Sequence, residues 1–324
     1  MKTILISGGA GYLGTELTQY LLKKNFKIVV YDELFFPWLK KNYNKIKNKK
    51  NLFFIKKNIR DVSVNDFIDV DIVCDLNGIP NDPASEINPK LTWKVNYEGR
   101  KKFAIFAKRA GVKRYIFNST CSVYGFNKKK VNEKSKLNPI STYARANLKS
   151  EKTVYSLKDK NFKVNILRNS TLFGFSNTMR LDLVINIFVY NLINKKKIKV
   201  DGDGLQFRPF ICLLDICRIY EKIIKEKNLK SYICNLVHFN LTIRELSLKI
   251  CKILKLNKNY ISFNSKSTDK RNYNVNSIYF KKLFPNFKFS SLNNEIKKLK
   301  SGLKKNKIKV SDQTIRMNFY KKLF

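Results

Sequence analysis

A glycine-rich turn lies at the very start of the chain, directly behind the apolar segment Lys2–Ile6. The turn reads Ser-Gly-Gly-Ala-Gly-Tyr-Leu-Gly over Ser7–Gly14, and the pattern that follows predicts an amphipathic helix over Tyr12–Lys24. A β-branched strand that leads into GxxGxxG and then into a helix is the arrangement that binds the pyrophosphate of a dinucleotide. The helix start offers free N–H groups and a positive dipole end to the anion.

Each glycine of this turn has a separate predicted task. Gly8 takes a positive φ where the strand ends, Gly11 lets the backbone approach the phosphates, and Gly14 lets the helix pack closely on the strand. Together with Tyr12 and Leu13, which open the helix, these glycines form the predicted phosphate-binding part of a cofactor site.

An acidic residue, Asp32, ends the second predicted strand, Lys27–Tyr31. It follows the glycine turn by roughly 20 residues, the spacing expected of a carboxylate that binds the adenosine ribose. Such a carboxylate accepts hydrogen bonds from the ribose 2′-hydroxyl and repels a 2′-phosphate, so Asp32 favours NAD over NADP. The alternative is that Asp32 only caps the following loop.

The length and composition of the chain set broad limits. With 324 residues, of which 44% are hydrophobic, the chain can bury one large core or form two closely packed domains. It contains no run of about 18 consecutive apolar residues of the kind that spans a membrane. The first residues are the first strand rather than a signal peptide, which predicts a cytoplasmic protein.

The cysteines and the histidine argue against a metal centre. Six cysteines are scattered through apolar segments without a CxxC pair, which predicts buried, reduced thiols. His238 is the only histidine, so a histidine-rich metal site is excluded and no metal is predicted. Its position after an apparent strand indicates a structural or exposed residue.

The formal net charge of +42 could attract nucleic acid or an anionic membrane surface. However, the excess consists mainly of lysine and is spread along the whole chain, with its densest runs at Lys40–Lys50 and Lys297–Lys309. No zinc-finger, helix-turn-helix or RNP signature accompanies it. Nucleic-acid binding is therefore a third-ranked interpretation, and an anionic nucleotide substrate would benefit from the same field.

Strands alternate with helices along the chain, which predicts an α/β fold with a Rossmann-type, doubly wound parallel sheet. Further strands are predicted at Leu52–Ile55, Asp71–Leu76, Arg114–Phe117 and Val164–Arg168, an aromatic loop at Leu34–Leu39, and helices at Val95–Ala110, Tyr143–Leu157, Leu181–Ile193, Leu214–Lys225 and Ile243–Leu254. The predicted NAD-binding domain covers residues 1–170. Residues 171–324 are expected to form a smaller α/β substrate lobe that is interleaved with it, because no linker separates them.

These motifs together resemble the extended short-chain dehydrogenases/reductases, specifically the NAD-dependent nucleotide-sugar epimerases and dehydratases. The resemblance covers nearly the whole chain and rests on the glycine turn, Asp32, Asp61, Asn96–Gly99, Ser119–Gly125, Tyr143, Arg208–Ile211 and Asp215. A narrower similarity, to a branch that includes GDP-heptose 4-dehydrogenases, rests on Phe173–Gly174, Met179–Leu183 and Asp269–Tyr273.

The resemblance implies the chemistry and the residues that perform it. In such enzymes the sugar C4 hydroxyl is oxidised by hydride transfer to NAD, and the 4-keto sugar is then epimerised, dehydrated, reduced or released. Tyr143 is then the general base, and Thr120 hydrogen-bonds the same oxygen. Arg208 and Arg271 are expected to hold the diphosphate of the nucleotide sugar.

The resemblance also implies a cofactor contact at Asp61, a homodimer formed through the helices Val95–Ala110 and Tyr143–Leu157, and a role in nucleotide-sugar supply for surface polysaccharide.

One position departs from the family pattern. The family's Tyr-xxx-Lys pair appears here as Tyr143 and Asn147, so the lysine that holds the nicotinamide ribose and lowers the tyrosine pKa is missing. A free tyrosine is ionised to roughly one part in a thousand at pH 7. Arg145 and Lys149, two and six residues after Tyr143, point away from its helix face, so neither replaces the lysine.

Asn147 can still hydrogen-bond the ribose, and two interpretations follow. One is an active nucleotide-sugar oxidoreductase or epimerase whose proton transfer is weakened or rerouted. The other is a catalytically impaired homologue that binds NAD or a nucleotide sugar in a non-catalytic role.

Overall fold

The computed structural model of the protein describes residues 1–44, 49–228, 230–264 and 271–324. Within these ranges the strands are β1 (Thr3–Ser7), β2 (Lys27–Tyr31), β3 (Leu52–Ile55), β4 (Ile72–Asp75), β5 (Arg114–Thr120), β6 (Lys163–Asn169), β7 (Thr171–Phe173), β8 (Ile198–Val200), β9 (Phe207–Cys212), β10 (Tyr232–Leu236), β11 (Phe239–Thr242) and β12 (Ile261–Phe263). The α-helices are α1 (Tyr12–Leu22), α2 (Pro37–Asn44), α3 (Asp82–Ile87), α4 (Pro89–Trp93), α5 (Arg100–Arg109), α6 (Thr142–Ser156), α7 (Val184–Ile193), α8 (Leu213–Lys225), α9 (Ile243–Leu254), α10 (Ile278–Leu283), α11 (Leu292–Lys305) and α12 (Arg316–Leu323).

Seven parallel strands form the central sheet, in the order β10, β6, β5, β4, β1, β2, β3. The order reverses at β1, which pairs with β2 on one side and with β4 on the other. Apolar side chains of these strands are buried on both faces, as a sheet covered by helices requires. The predicted α/β class with a Rossmann-type parallel sheet is confirmed.

The segment after residue 170 builds smaller sheets and also returns to the central one. β7, β9 and β11 form a three-stranded sheet, while β8 pairs with β12. β10 then pairs with β6 and becomes the edge strand of the seven-stranded sheet. The central sheet therefore draws its last strand from beyond residue 170, although the division into two domains at that residue stays a prediction.

Two predicted elements differ from the structure. The aromatic segment at Leu34–Leu39, expected as a loop, turns into α2 at Pro37, because proline is well suited to the first turn of a helix. The single helix predicted over Val95–Ala110 is a π-helical turn over Lys94–Gly99 followed by α5. Gly111 (φ +83°) ends that helix, as a left-handed glycine commonly does.

Among the described residues no helix is long and apolar enough to cross a membrane. All six cysteines are buried, free thiols. The His238 ring stacks on Phe289 with centroids 4.5 Å apart, and burial lowers its pKa.

Candidate active site

A cavity of about 550 Å³ opens where the carboxyl ends of β1, β4, β5 and β6 meet. Ligands of doubly wound sheets bind at such a reversal of strand order. The sequence-predicted site residues that line it are Gly8, Gly11, Tyr12, Leu13, Gly14, Asp32, Thr120, Tyr143, Asn147, Arg208 and Arg271. Asp61 is the one predicted site residue that is not part of the cavity wall described by the structure.

The glycine turn has the geometry that its sequence predicts. Gly8 has φ +68°, a left-handed conformation that side chains other than glycine rarely adopt. A Cβ atom at Gly14 would lie 2.2 Å from the Gly8 carbonyl oxygen, so the helix can approach the strand this closely only with glycine there. α1 begins at Tyr12, and its N-terminal N–H groups border the cavity.

Asp32 is fixed by the backbone on both sides. One carboxylate oxygen accepts a 3.0 Å hydrogen bond from the Ala10 N–H, and the other accepts a 2.8 Å bond from the Leu34 N–H. Burial raises the pKa of this carboxyl group, and the bonds from Leu34 and Ala10 oppose that rise. Each oxygen keeps a lone pair for a ribose hydroxyl, so the carboxylate is a preorganised acceptor.

Asp61 lies at the end of a short 3₁₀ turn, Ile59–Asp61, with its side chain exposed. Asn58 lines the cavity instead; it is buried, accepts a hydrogen bond from the Arg60 N–H and donates a 2.7 Å bond to Glu33. Asn58 could have been predicted from its position, because it is nearer than Asp61 to the carboxyl end of β3, where ligand contacts concentrate.

Tyr143 is positioned by the packing of α3 against the start of α6. Its backbone N–H donates to Ser85 Oγ at 3.0 Å, and the side chain of Ser141, the residue that caps α6, donates to Asp82 at 2.5 Å. Glu86 accepts hydrogen bonds from both the N–H and the hydroxyl of Thr142. The first turn of α6 is thereby fixed against the cavity.

The electrostatic surroundings of Tyr143 disfavour its ionisation. Burial and the Asp82 carboxylate raise the pKa of Tyr143 to about 12, against the opposing effects of a hydrogen bond with Thr120 and the charges of Arg100 and Arg180. Thr120, at the end of β5, is therefore a hydrogen-bond partner of the tyrosine, while its predicted contact with the substrate oxygen stays a prediction. The pKa is above the ordinary value, so any activation of the base must come from nearby positive charge.

A buried arginine contacts the side chain of Asn147. Nη1 of Arg100, the first residue of α5, donates a 2.9 Å hydrogen bond to Asn147 Oδ1, while Nε forms a 2.9 Å ion pair with Asp75. The guanidinium lies 3.7 Å from the centre of the Phe117 ring. Residue spacing along α6 does not reveal this cation, because Arg100 comes from the neighbouring helix α5.

The two arginines predicted to bind a diphosphate lie together. Arg208 donates a 2.6 Å hydrogen bond to the Arg271 carbonyl oxygen, and its guanidinium is 5.5 Å from the Tyr273 ring. Arg271 forms a 2.7 Å ion pair with Asp82. Of the Asp269–Tyr273 motif, Asp269 and Lys270 lie outside the described residues.

Polar atoms in the cavity wall fit bound polar ligands. Asn169 Oδ1 and Ser170 Oγ are buried and have no hydrogen-bond partner within the described ranges. Buried polar groups are normally paired, so these two oxygens are suited to hydroxyl or amide groups of a ligand. The cavity wall thus combines the glycine turn and Asp32 with the two arginines.

Comparisons with known proteins agree with this geometry. The chain is 29% identical over 220 residues to an uncharacterized UDP-glucose epimerase of Bacillus subtilis, which covers 65% of this chain and 69% of the relative. It is 27% identical over 263 residues to the human dTDP-D-glucose 4,6-dehydratase, covering 78% of this chain and 74% of the relative.

Among solved structures, the UDP-glucuronic acid 4-epimerase of Bacillus cereus, bound to UDP-glucuronic acid and NAD, superposes with a TM-score of 0.82 at 23% identity. That superposition covers 94% of this chain and 99% of the epimerase, and supports the fold. Residues 4–236 match the family described as the NAD dependent epimerase/dehydratase family. A match over more than half of the chain, with an NAD-type turn at its start, shows that this protein belongs to the NAD-dependent epimerase/dehydratase family.

Proposed function

We propose that this protein oxidises the C4 hydroxyl of a nucleoside-diphosphate sugar by hydride transfer to NAD. The observation that supports it best is the meeting of Tyr143 and Thr120 in one cavity with the glycine turn and Asp32. A sugar bound beside the cofactor would then have a proton acceptor and a hydroxyl partner within reach. The resulting 4-keto sugar is epimerised, dehydrated, reduced or released.

The proposed step moves one proton and one hydride. When bound, NAD supplies the hydride acceptor for the hydrogen on C4. Tyr143 takes the proton of the C4 hydroxyl, and Thr120 donates a hydrogen bond to that oxygen as negative charge develops on it. Asn147 lies in the cavity wall, and the second N–H of its side-chain amide would donate to the ribose next to the nicotinamide.

Arg100 supports an active enzyme despite the missing lysine. Its guanidinium lowers the pKa of Tyr143, although burial and Asp82 outweigh it. Asp75 neutralises much of the arginine charge, because the two form a buried ion pair at 2.9 Å. We therefore propose a weaker activation of Tyr143 than an unpaired lysine would give, with proton transfer as the slow step at neutral pH.

Asn147 also favours a second candidate, a homologue that binds NAD or a nucleotide sugar without turning it over. Its Oδ1 is occupied by Arg100 and its amide nitrogen donates to the Tyr143 carbonyl oxygen at 2.8 Å, so both polar atoms already have protein partners. In this case ligand binding persists and no product forms.

For the substrate, Arg208 and Arg271 support a diphosphate, since guanidinium groups match phosphate oxygens geometrically. Arg271, which now pairs with Asp82, would exchange that partner for the diphosphate. A GDP-heptose is one candidate sugar, resting on the sequence similarity of Phe173–Gly174 and Met179–Leu183. Supply of such sugars for surface polysaccharide, in the cytoplasm, is the corresponding biological proposal.

A homodimer formed through α5 and α6 is a further proposal. Basic residues are exposed on these helices: Lys101, Lys102, Arg145, Lys149 and Lys152. Like charges across such an interface repel and are screened by salt. We expect dimerisation to strengthen between about 50 mM and about 500 mM salt in sedimentation experiments, and a monomer at both concentrations would exclude this interface.

The experiment that tests the function combines mass spectrometry with one substitution. We expect the protein to release NAD, with or without a nucleotide sugar, when it is denatured. Incubation of the protein with NAD and a panel of nucleotide sugars should form NADH or a 4-keto product, and Tyr143→Phe should slow this step by about 10²-fold or more. NAD binding without product in the wild type would favour the second candidate, absence of NAD binding would remove the first, and absence of both NAD and nucleotide-sugar binding would remove both.

A further inference from the structure

The last described helix, α12, forms part of the cavity wall. Arg316 and Tyr320 both line the cavity, although they lie near the opposite end of the chain from the glycine turn. The Tyr320 ring stacks on Phe35 at 5.9 Å between centroids and meets Phe36 edge-on at 5.5 Å. These aromatic contacts hold α12 against the side of the cavity that carries the glycine turn.

Arg316 is buried but not fully paired. Its side chain is 5% exposed, one terminal nitrogen donates a 3.3 Å hydrogen bond to the Thr178 carbonyl oxygen, and the guanidinium lies 5.1 Å from the Phe36 ring centre. Its Nε has no hydrogen-bond partner in the part of the chain that the structure describes. A buried donor without an acceptor is unfavourable, which indicates that a ligand supplies the acceptor.

The residue that holds Arg316 also contacts the glycine turn. Thr178 Oγ1 donates a 3.0 Å hydrogen bond to the carbonyl oxygen of Gly11, the residue that caps α1. The guanidinium is therefore attached, through one threonine, to the turn whose N–H groups are expected to bind phosphate. Arg316 thus adds a cationic group beside this turn. It lies too far along the sequence for any local motif to include it.

The charges around Arg316 leave it available for an anion. The neighbouring guanidinium of Arg180 forms two hydrogen bonds, of 2.9 and 2.8 Å, with the Asp182 carboxylate. Burial, together with the Arg180 charge, lowers the pKa of Arg316 to about 10, against the opposing effect of Asp182. Arg316 thus remains a cation at neutral pH, and a diphosphate would neutralise it.

We propose that Arg316 hydrogen-bonds the pyrophosphate of bound NAD, which makes α12 part of the cofactor site. The proposal rests on the NAD dependence of the family and is independent of sugar oxidation. The guanidinium would complete the phosphate site opposite the N-terminus of α1, and the aromatic contacts of Tyr320 would hold the helix in place.

The test compares ligands that carry or lack the pyrophosphate. NAD, ADP-ribose and adenosine are titrated separately into the wild-type protein, into Arg316→Met and into Lys321→Met, which removes an exposed cation from the same helix. We expect Arg316→Met to weaken NAD and ADP-ribose binding at least tenfold and to leave adenosine binding within twofold. Lys321→Met should bind all three ligands like the wild type.

Thermal melting provides a second readout that a merely structural role would not give. Arg316→Met should not lower the melting temperature of the ligand-free protein, because methionine removes a buried, incompletely paired cation while preserving volume. The rise in melting temperature on adding saturating NAD should become smaller.

Unchanged NAD affinity, equal weakening of NAD and adenosine, or a wild-type protein that does not bind NAD would each overturn the proposal. Absence of sugar oxidation with NAD binding intact would overturn only the proposed function.

Discussion

Arg100 Nη1 donates a 2.9 Å hydrogen bond to Asn147 Oδ1, so a cation lies next to the position where the family's Tyr-xxx-Lys pair has its lysine. The arginine comes from α5 rather than from α6, and it is shared with Asp75. Its positive charge is therefore present but largely compensated. We therefore expect the lysine-to-asparagine change to affect the ionisation of Tyr143 more than the binding of NAD.

Replacing Asn147 by lysine tests this directly. Asn147→Lys adds a positive charge that Asp75 does not already neutralise, which lowers the pKa of Tyr143 and increases the ionised fraction at neutral pH. We expect turnover at pH 7 to rise at least about tenfold, equivalent to roughly one pH unit in the tyrosine pKa. The measurement is the steady-state rate of both proteins from about pH 6 to about pH 10, a range that approaches the ordinary tyrosine pKa.

The same substitution should make the protein less stable. The ammonium group introduced by Asn147→Lys would lie beside the buried Arg100 guanidinium, and two like charges in a buried site repel. We expect a lower melting temperature together with the faster turnover. No gain in rate over a fast wild type would show that the task of the family's lysine is already performed elsewhere.

Substituting Arg100 tests whether this residue performs the task of the family's lysine. Arg100→Met leaves the Asp75 carboxylate buried without its cation, and loss of one partner of a buried pair costs about 3–5 kcal/mol. We expect a much less stable protein, measured by urea unfolding, and slower turnover. Arg100→Lys, which keeps the charge but loses the forked geometry, should lie between Arg100→Met and the wild type.

A double substitution separates the charge from the arginine itself. In Arg100→Met with Asn147→Lys, the new ammonium enters the space left by the guanidinium and again gives Asp75 a cation. We expect this variant to be more stable than Arg100→Met alone and at least about tenfold faster. Equal rates for Arg100→Met and for the double variant would show that the positive charge of Arg100 contributes only to folding.

The parts of the site that are local in sequence were predictable. The turn from Gly8 to Gly14 follows from a strand, a tight turn and a helix that are adjacent in the chain, and the structure has this geometry. Asp32 follows from the end of the next strand. In both cases the backbone conformation is fixed by residues only a few positions away.

The parts that depend on helix packing were not predictable. Arg100 and Asn147 are 47 residues apart and meet only because α5 packs against α6. Asp61, predicted as a cofactor contact, is exposed because the 3₁₀ turn that contains it places Asn58 toward the cavity instead. Sequence spacing does not specify the contact between two helices, nor which residue of a short turn faces inward.

The pH dependence should respond to Asp82. Burial and the Asp82 carboxylate raise the pKa of Tyr143 to about 12. Because the ionised tyrosine is the base in the proposed mechanism, we expect turnover to increase with pH from neutral to alkaline values. Asp82→Asn removes a negative charge near Tyr143 and lowers that pKa. We expect the rate profile to move toward lower pH by about one unit.

A control with the same charge change makes this specific. Glu98→Gln also removes one negative charge, but Glu98 is exposed and does not line the cavity. Its pH profile should match that of the wild type. A profile that Asp82→Asn leaves unmoved would exclude Asp82 as the group that restrains the base.

Cofactor choice should depend on Asp32 and not on Asp61. Asp32→Ala removes the acceptor for the ribose hydroxyls and the negative charge that repels a 2′-phosphate. Hydrogen bonds to a charged group contribute about 1.5–3 kcal/mol, so NAD affinity should fall roughly 10- to 100-fold while NADP affinity falls less. The Ala10 and Leu34 N–H groups also lose their acceptor, which should lower the free energy of unfolding.

Asp61→Ala removes the same charge from an exposed side chain outside the cavity. We expect its NAD and NADP affinities, measured by calorimetric titration, to equal those of the wild type. Because both variants change net charge equally, a difference between them isolates the contact made by the carboxylate from the general field of a strongly basic protein. Equal losses of NAD affinity in the two variants would instead make that field the main determinant of cofactor binding.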